Sequence, residues 1–169
     1  ILAVMLGCGL RRSEVAKLDS RHIQQRDGRW VIVDLVGKGL RVRSVPMPAW
    51  TKAALDAWLS AASASEGYLD APSSGLVFRS IRRGGHLDGQ AMTAQAIADV
   101  VRLYSTALGY PVAAHDLRRT FAKLAHKGSG RLDQIQLSLG HASIKTTERY
   151  LGVEQDLQDA PCDHLGLRL

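Results

Sequence analysis

Residues 113–128, "AAHDLRRTFAKLAHKG", and residues 139–151, "LGHASIKTTERYL", decide how the rest of this chain is read. In the first stretch His115 and Arg118 stand three positions apart, which puts both on one helix face. In the second, His141 precedes Tyr150 by nine residues, and Ser143 is suited to cap a short polar helix over 144–150. Such a helix is only about 10 Å long at 1.5 Å per residue, so His141 can lie near whatever Tyr150 contacts. Cations around a phenol suit a phosphate ester, because they hold the anion while the oxygen attacks. A free phenol has a pKa of about 10, so about one in a thousand is ionised at pH 7. Neighbouring cations raise that fraction, and His115 is a candidate acceptor for the proton. A packing tyrosine is the plainer alternative, but Tyr68, Tyr104 and Tyr110 suit that role better. None of those three has a histidine nine residues before it.

Working outward, helices are expected over 116–127, 132–139 and 144–150. Leu117, Phe121 and Leu124 would form the buried stripe of the first, leaving His115 and Arg118 on its flank. Upstream, Thr93 is a candidate N-cap for a helix whose apolar stripe is Ile97, Val100, Val101, Tyr104 and Leu108. Trp50, Ala54, Trp58 and Ala61 recur at helical spacing through "AWTKAALDAWLSAAS". The stretch "GLVFRSIRRGGHLDG" is ambiguous and reads as a short strand followed by a Gly-rich loop. Two or three antiparallel strands are expected earlier, from "RWVIVDLV" after the Asp27-Gly28 turn and from the alternating "RVRSVPMP". Before them, 13–18 reads as a short helix with Leu10, Val15 and Leu18 near one face. The apolar start "ILAVMLGCGL" reads as a buried helix end capped by Gly7 or Gly9. The pattern is α+β, mostly α-helical, with a small antiparallel sheet near the N-terminal end.

The composition narrows the classes. At 169 residues the chain suits one domain, which buries about 70% of its extended surface. Its 46% apolar and 22% charged residues exclude a disordered chain, and a net charge of +6 points toward a polyanionic partner. Cys8 and Cys162 lack metal-ligand spacing and suit a reducing cytosol. The acidic residues are scattered, with no D-x-D or H-E-x-x-H arrangement, so no metal and no other cofactor is expected. The apolar start is too short to span a bilayer and lacks a basic leader, so no membrane association is expected. Without an initiator Met, the chain is expected to be a fragment that begins inside a helix.

Two further motifs complete the pattern: "GCGLRRSEVAKL" (7–18) and "VGKGLRVRSVPMP" (36–48). Together with H-x-x-R and L-G-H followed by Tyr150, they make the chain resemble the tyrosine recombinase (phage integrase) family from Gly9 to Tyr150. The first matches that family's G-L-R-x-x-E helix start and the second its lysine hairpin. The resemblance implies an integrase-like catalytic domain over 1–169, with the N-terminal core-binding domain absent and the first helix cut short. It implies that Arg11, Lys38, His115, Arg118, His141 and Tyr150 form the active site. Arg11 and Arg118 would clamp the phosphate through planar guanidinium forks. Lys38 would be general acid toward the 5′ oxygen; read alone, it is a turn lysine kept in water between two glycines. Tyr150 would be the nucleophile. Arg41 and Arg43 would contact the DNA backbone. Glu14 would either orient Arg11 through an i,i+3 ion pair or stand as a surface charge at a helix start.

The implied reaction is site-specific DNA strand cleavage and rejoining through a 3′-phosphotyrosyl link, without ATP or metal. Its partners would be double-stranded DNA and a homo-tetramer on two DNA sites, in the cytoplasm at the nucleoid. Two alternatives stand beside it: DNA relaxation of the type IB topoisomerase kind, and a catalytically silent DNA-binding relic.

Overall fold

The computed structural model describes residues 1–37, 41–65 and 75–152. Lys38 and the tail after Gly152 therefore lie outside the described residues.

Helix α1 (Leu2–Cys8) ends at Gly9, whose φ of 61° is left-handed. A Cβ there would also sit 2.6 Å from the Phe121 ring, so glycine is required twice over. Gly7, the other cap candidate, lies inside α1. Helix α2 (Arg12–Ala16) follows, and then strands β1 (Ile23–Arg26), β2 (Arg29–Val36) and β3 (Val42–Pro46). These form an antiparallel sheet in the order β1-β2-β3. Asp27 and Gly28, with φ of 49° and 73°, make the two-residue turn that suits the twist of β1 and β2. The register of β2 against β3 shifts between Ile32 and Leu35, where Asp34 has φ 55°. Such a bulge bends the hairpin, and here it lies on the way to residues 38–40.

Helix α3 (Ala49–Ser65) precedes a second antiparallel hairpin, β4 (Arg79–Ile81) with β5 (Leu87–Ala91). Helices α4 (Ala94–Ala107), α5 (Ala114–Lys127), α6 (Leu132–Leu139) and α7 (Ile144–Leu151) complete the chain order. Helix α5 packs against α1, α4, α6 and α7 and is the hub of the molecule. The main core gathers Val4, Met5, Leu10, Val15 and Leu18 with Ile32, Val45, Leu55, Ile97 and Val101. A smaller cluster of Ala122, Ile135 and Leu139 holds α6 and α7 against α5, with Phe121, Tyr150 and Leu151 packed on it. Burying aliphatic side chains of this size contributes about 1.5–3 kcal/mol each before entropy is subtracted.

Several expected faces differ. Helix α5 buries Ala114, Arg118 and Ala122, whereas Leu124 is 57% exposed. The buried stripe therefore runs through Arg118 itself. Helix α3 turns Thr51, Leu55 and Ala62 inward and leaves Trp50 exposed. Helix α4 buries Ile97, Val101 and Ser105, whereas Tyr104 and Leu108 are exposed. Those two residues line an apolar groove with Leu2, Leu6 and Trp50. The Gly-rich stretch after β4 closes a hairpin, because Gly84 and Gly85 supply positive φ (103° and 86°) at its turn. Burial pushes the Cys8 thiol up to about 12, so it stays protonated inside the core. Among the described residues, no helix is long and apolar enough to cross a membrane.

Candidate active site

Arg118 is the largest of the side chains less than 2% exposed. Its Nη1 donates to the carbonyl of Gly9 at the end of α1, and its Nη2 to the carbonyl of Leu139 at the end of α6. Helix C-termini carry unpaired carbonyls and a partial negative charge, so one guanidinium serves two helix ends. Those dipoles do not neutralise a full positive charge. Burial, reinforced by the neighbouring Arg11, lowers the Arg118 pKa to about 10, which leaves it a cation at neutral pH.

Arg11 is the N-cap of α2 and turns toward the same place. Its Nη1 donates to Glu14 Oε1 at 2.9 Å, and its backbone N–H donates to Glu14 Oε2 at 2.8 Å. The second bond is half of a capping box and fixes the start of the helix. Glu14 is therefore a buried ion-pair partner. A second arginine, Arg43 on β3, grips the same carboxylate: Nη1 reaches Oε1 at 2.9 Å and Nη2 reaches Oε2 at 2.8 Å. Burial works to raise the Glu14 pKa, but hydrogen bonds from Arg43 and Arg11 prevail and hold it at about 2. Arg43, expected on the DNA backbone, is thus committed inside the protein. Arg41 is exposed.

His115, in the first turn of α5, points its Nε2 at the Tyr150 hydroxyl, 3.1 Å away. The rings of His115 and His141 stand edge-on to the Tyr150 ring, at centroid distances of 5.5 and 5.3 Å. His141 is placed by its backbone. Gly140 ends α6 with φ 63°, and the His141 N–H returns to the Gln136 carbonyl in a Schellman turn. Its Nδ1 lies 3.0 Å from the hydroxyl of fully buried Thr147. With Thr147 donating, the imidazole proton sits on Nε2 and is available to an anion.

Burial, followed by the charge of Arg118, lowers the pKa of both histidines, and that of His141 falls to about 4. Both are neutral at pH 7, so His115 can accept the phenolic proton. Tyr150 departs from expectation: burial raises its pKa despite the opposing charges of Arg118, Arg119 and Arg11. The phenol is therefore protonated until a base removes its proton. Arg119 also abuts the site, with its guanidinium 5.6 Å from the Tyr150 ring centroid. Arg118 is buried, whereas Arg119 is exposed. A cleft of about 710 Å³ opens beside these residues, lined by Arg11, Arg12, Arg102, His115 and Arg118. Among the described residues, no group of three or more His, Cys, Asp or Glu side chains is placed to hold a metal ion.

Thr147, Arg119 and the role of Arg43 were not singled out from sequence. Thr147 had a signal, since it lies one turn before Tyr150 on the same helix face. Lys38 is outside the described residues, but its neighbour Gly37 is close to the site: a Cβ there would lie 3.6 Å from Arg11 Nη1.

The site therefore sets a tyrosine among two histidines and several arginines in a mainly helical domain. The Phage integrase family pattern matches residues 1–156, and the chain belongs to that family. It is 36% identical over 151 residues to tyrosine recombinase XerC of Pseudomonas aeruginosa (strain LESB58), a match covering 89% of this chain and 45% of that protein. The chain thus spans less than half the length of the curated relatives it matches. Its fold is similar to the crystal structure of XerA recombinase (TM-score 0.72, 26% identity, 90% of this chain and 52% of that one). It is similar also to XerH site-specific recombinase in a pre-cleavage complex with difH substrate (TM-score 0.71, 25% identity, 93% and 42%).

Proposed function

We propose that these residues form the catalytic domain of a site-specific DNA recombinase that cuts and rejoins strands through Tyr150. The observation that carries this reading is the 3.1 Å contact between the Tyr150 hydroxyl and His115 Nε2, set beside Arg118 and Arg11. The Tyr150 oxygen attacks the scissile phosphorus as its proton passes to His115. The bond from phosphorus to the 5′ oxygen breaks, and Lys38 supplies the proton that oxygen needs. Arg118, Arg11 and His141 hold the phosphate oxygens as their charge grows. The products are a 3′-phosphotyrosyl link and a free 5′ hydroxyl. Attack by a 5′ hydroxyl from a partner strand reverses the step and completes the exchange. One phosphoester replaces another, so neither ATP nor a metal ion is required. Exchange between two duplexes uses four protomers on two DNA sites, at the nucleoid in the cytoplasm. The DNA-bound relative XerH and the net charge of +6 both support duplex DNA as the substrate.

Nicked suicide DNA tests the assignment, because loss of the short fragment traps the covalent product. Tyr150→Phe should abolish the protein–DNA adduct while leaving DNA affinity nearly unchanged, one hydroxyl being lost among many phosphate contacts. An adduct that persists in this variant would show that another residue is the nucleophile. Relaxation of a plasmid lacking any recombination site would instead favour topoisomerase-like chemistry.

A further inference from the structure

We infer that Arg43 is a positioning residue: it clamps Glu14 so that Arg11 presents its guanidinium to the phosphate, and it ties the Lys38 hairpin to that same arginine. The inference rests on the recombinase reading above. Its geometry is distinct. Arg43 shares a face of β3 with buried Val45, an unusual place for a cation, and its side chain is 8% exposed against 4% for Glu14. All three of its nitrogens donate: Nη1 and Nη2 to the Glu14 carboxylate, and Nε to the Ser138 carbonyl at 2.8 Å, in the last turn of α6. A guanidinium so committed has little left for DNA. Arg11, by contrast, uses only Nη1 of its side-chain nitrogens among the described residues, leaving Nε and Nη2 for an anion.

Three catalytic elements meet at Arg43. Glu14 joins it to Arg11 on α2. On the hairpin, a Cβ at Gly37 would lie 3.2 Å from Arg43 Nη1, and the Gly37 N–H donates to the Arg41 carbonyl at 2.8 Å across the flanks of residues 38–40. On the third side, a Cβ at Gly140, the residue before His141, would lie 2.9 Å from Arg43 Cδ. Glycines on both sides let the arginine lie between hairpin and helix. The hairpin stem is thus joined, through Arg43, to the carboxylate that holds Arg11. Without the fork, the carboxylate would swing and Arg11 would lose its direction.

Two variants of the full chain test this. Arg43→Lys keeps the buried charge balanced but loses the fork and the Ser138 bond; the paired variant Glu14→Gln/Arg43→Gln removes both charges together. Single-turnover cleavage of suicide DNA at saturating protein should fall by about 10²-fold in the paired variant, as for loss of one preorganised donor, and by less in Arg43→Lys. Both variants should recover most of that loss when the scissile phosphate is replaced by a methylphosphonate, which carries no charge and needs less from Arg11. The salt dependence of DNA binding should stay at the wild-type slope, since no phosphate contact is removed. Equal losses on both substrates would make Arg43 a merely structural residue. A slope lower by about one would make it a phosphate contact. Nitrogen-15 NMR of the Arg11 Nε–H needs no activity: the signal should be ordered in the wild type and averaged in Arg43→Lys. An Arg11 signal unchanged in that variant overturns the inference. A wild-type protein forming no Tyr150 adduct overturns the recombinase reading instead, and the NMR result then stands alone.

Discussion

Two regions of the molecule each bury an arginine, and they treat the charge in opposite ways. At the junction of α2 and β3, Arg43 meets a full carboxylate, Glu14, which grips it through both oxygens and which it shares with Arg11. At the corner of α1, α5 and α6, Arg118 meets only the carbonyls of Gly9 and Leu139. Carbonyl dipoles orient a guanidinium and satisfy its donors, but they leave its net charge available to an anion. The contrast separates an arginine paired with a counter-charge from one held by carbonyl dipoles alone. It also explains the neighbours: the uncancelled charge of Arg118 helps to keep both histidines neutral.

Substitutions that exploit the contrast should differ in size. Arg118→Lys keeps a charge but cannot reach two carbonyls and a phosphate in one plane. Cleavage should drop by about 10² to 10³, the usual cost of one preorganised donor. Its defect should persist when the scissile 5′ oxygen is replaced by sulfur, because the fault lies in holding the phosphate. Lys38→Ala should behave in the opposite way and recover in large part on the sulfur substrate, since a thiolate leaves without a proton. Equal rescue of the two variants would mean that the general acid lies elsewhere.

A smaller effect is expected at buried Thr147, whose hydroxyl lies 3.0 Å from His141 Nδ1. Thr147→Ala should slow adduct formation by about tenfold, roughly the value of one neutral hydrogen bond, and Thr147→Ser should restore most of it. Failure of the serine variant to rescue would point to packing of the methyl group in the core.

At the neutralised arginine the expected signature is stability against pH. The Glu14 carboxyl is held at about 2, below its ordinary 4.5. A lowered acid pKa contributes stability that is fully present above pH 4.5 and is lost as the pH falls toward about 2. Thermal melts should show the gap between wild type and Glu14→Gln/Arg43→Gln constant from pH 8 to about 5 and narrowing below. A gap that widens on acidification would reverse the sign and refute the ion pair's role. The smallest effect is a null one: excess EDTA should leave cleavage of suicide DNA near its rate with Mg²⁺, because guanidinium charge stands where a metal would. Cleavage lost in EDTA and restored by Mg²⁺ would contradict this.

Much of the scaffold was legible because it depends on local rules. Helix α6 spans Leu132–Leu139 as its periodicity indicates, Ser143 and Thr93 cap the helices they precede, and Asp27-Gly28 makes the hairpin turn. The failures share one cause. Helical spacing identifies a stripe, but neighbouring elements decide which side of that stripe is covered. Trp50 and Leu124 are apolar and exposed, while Thr51, Ser105 and Arg118 are polar and buried.

The same division holds for the site. Spacing along the chain determined that His115 and Arg118 share a helix and that Tyr150 follows His141 on the next short one, because 3.6 residues per turn is a local property. Only the tertiary structure decided that Arg118 is the most deeply buried cation of the described site, held by carbonyls from α1 and α6. It alone decided that Arg43 reaches Glu14, 29 residues away in sequence, and that burial raises the Tyr150 pKa against the pull of the nearby arginines. Charge compensation and desolvation are set by what lies within a few ångströms, and those neighbours come from segments far apart in the chain.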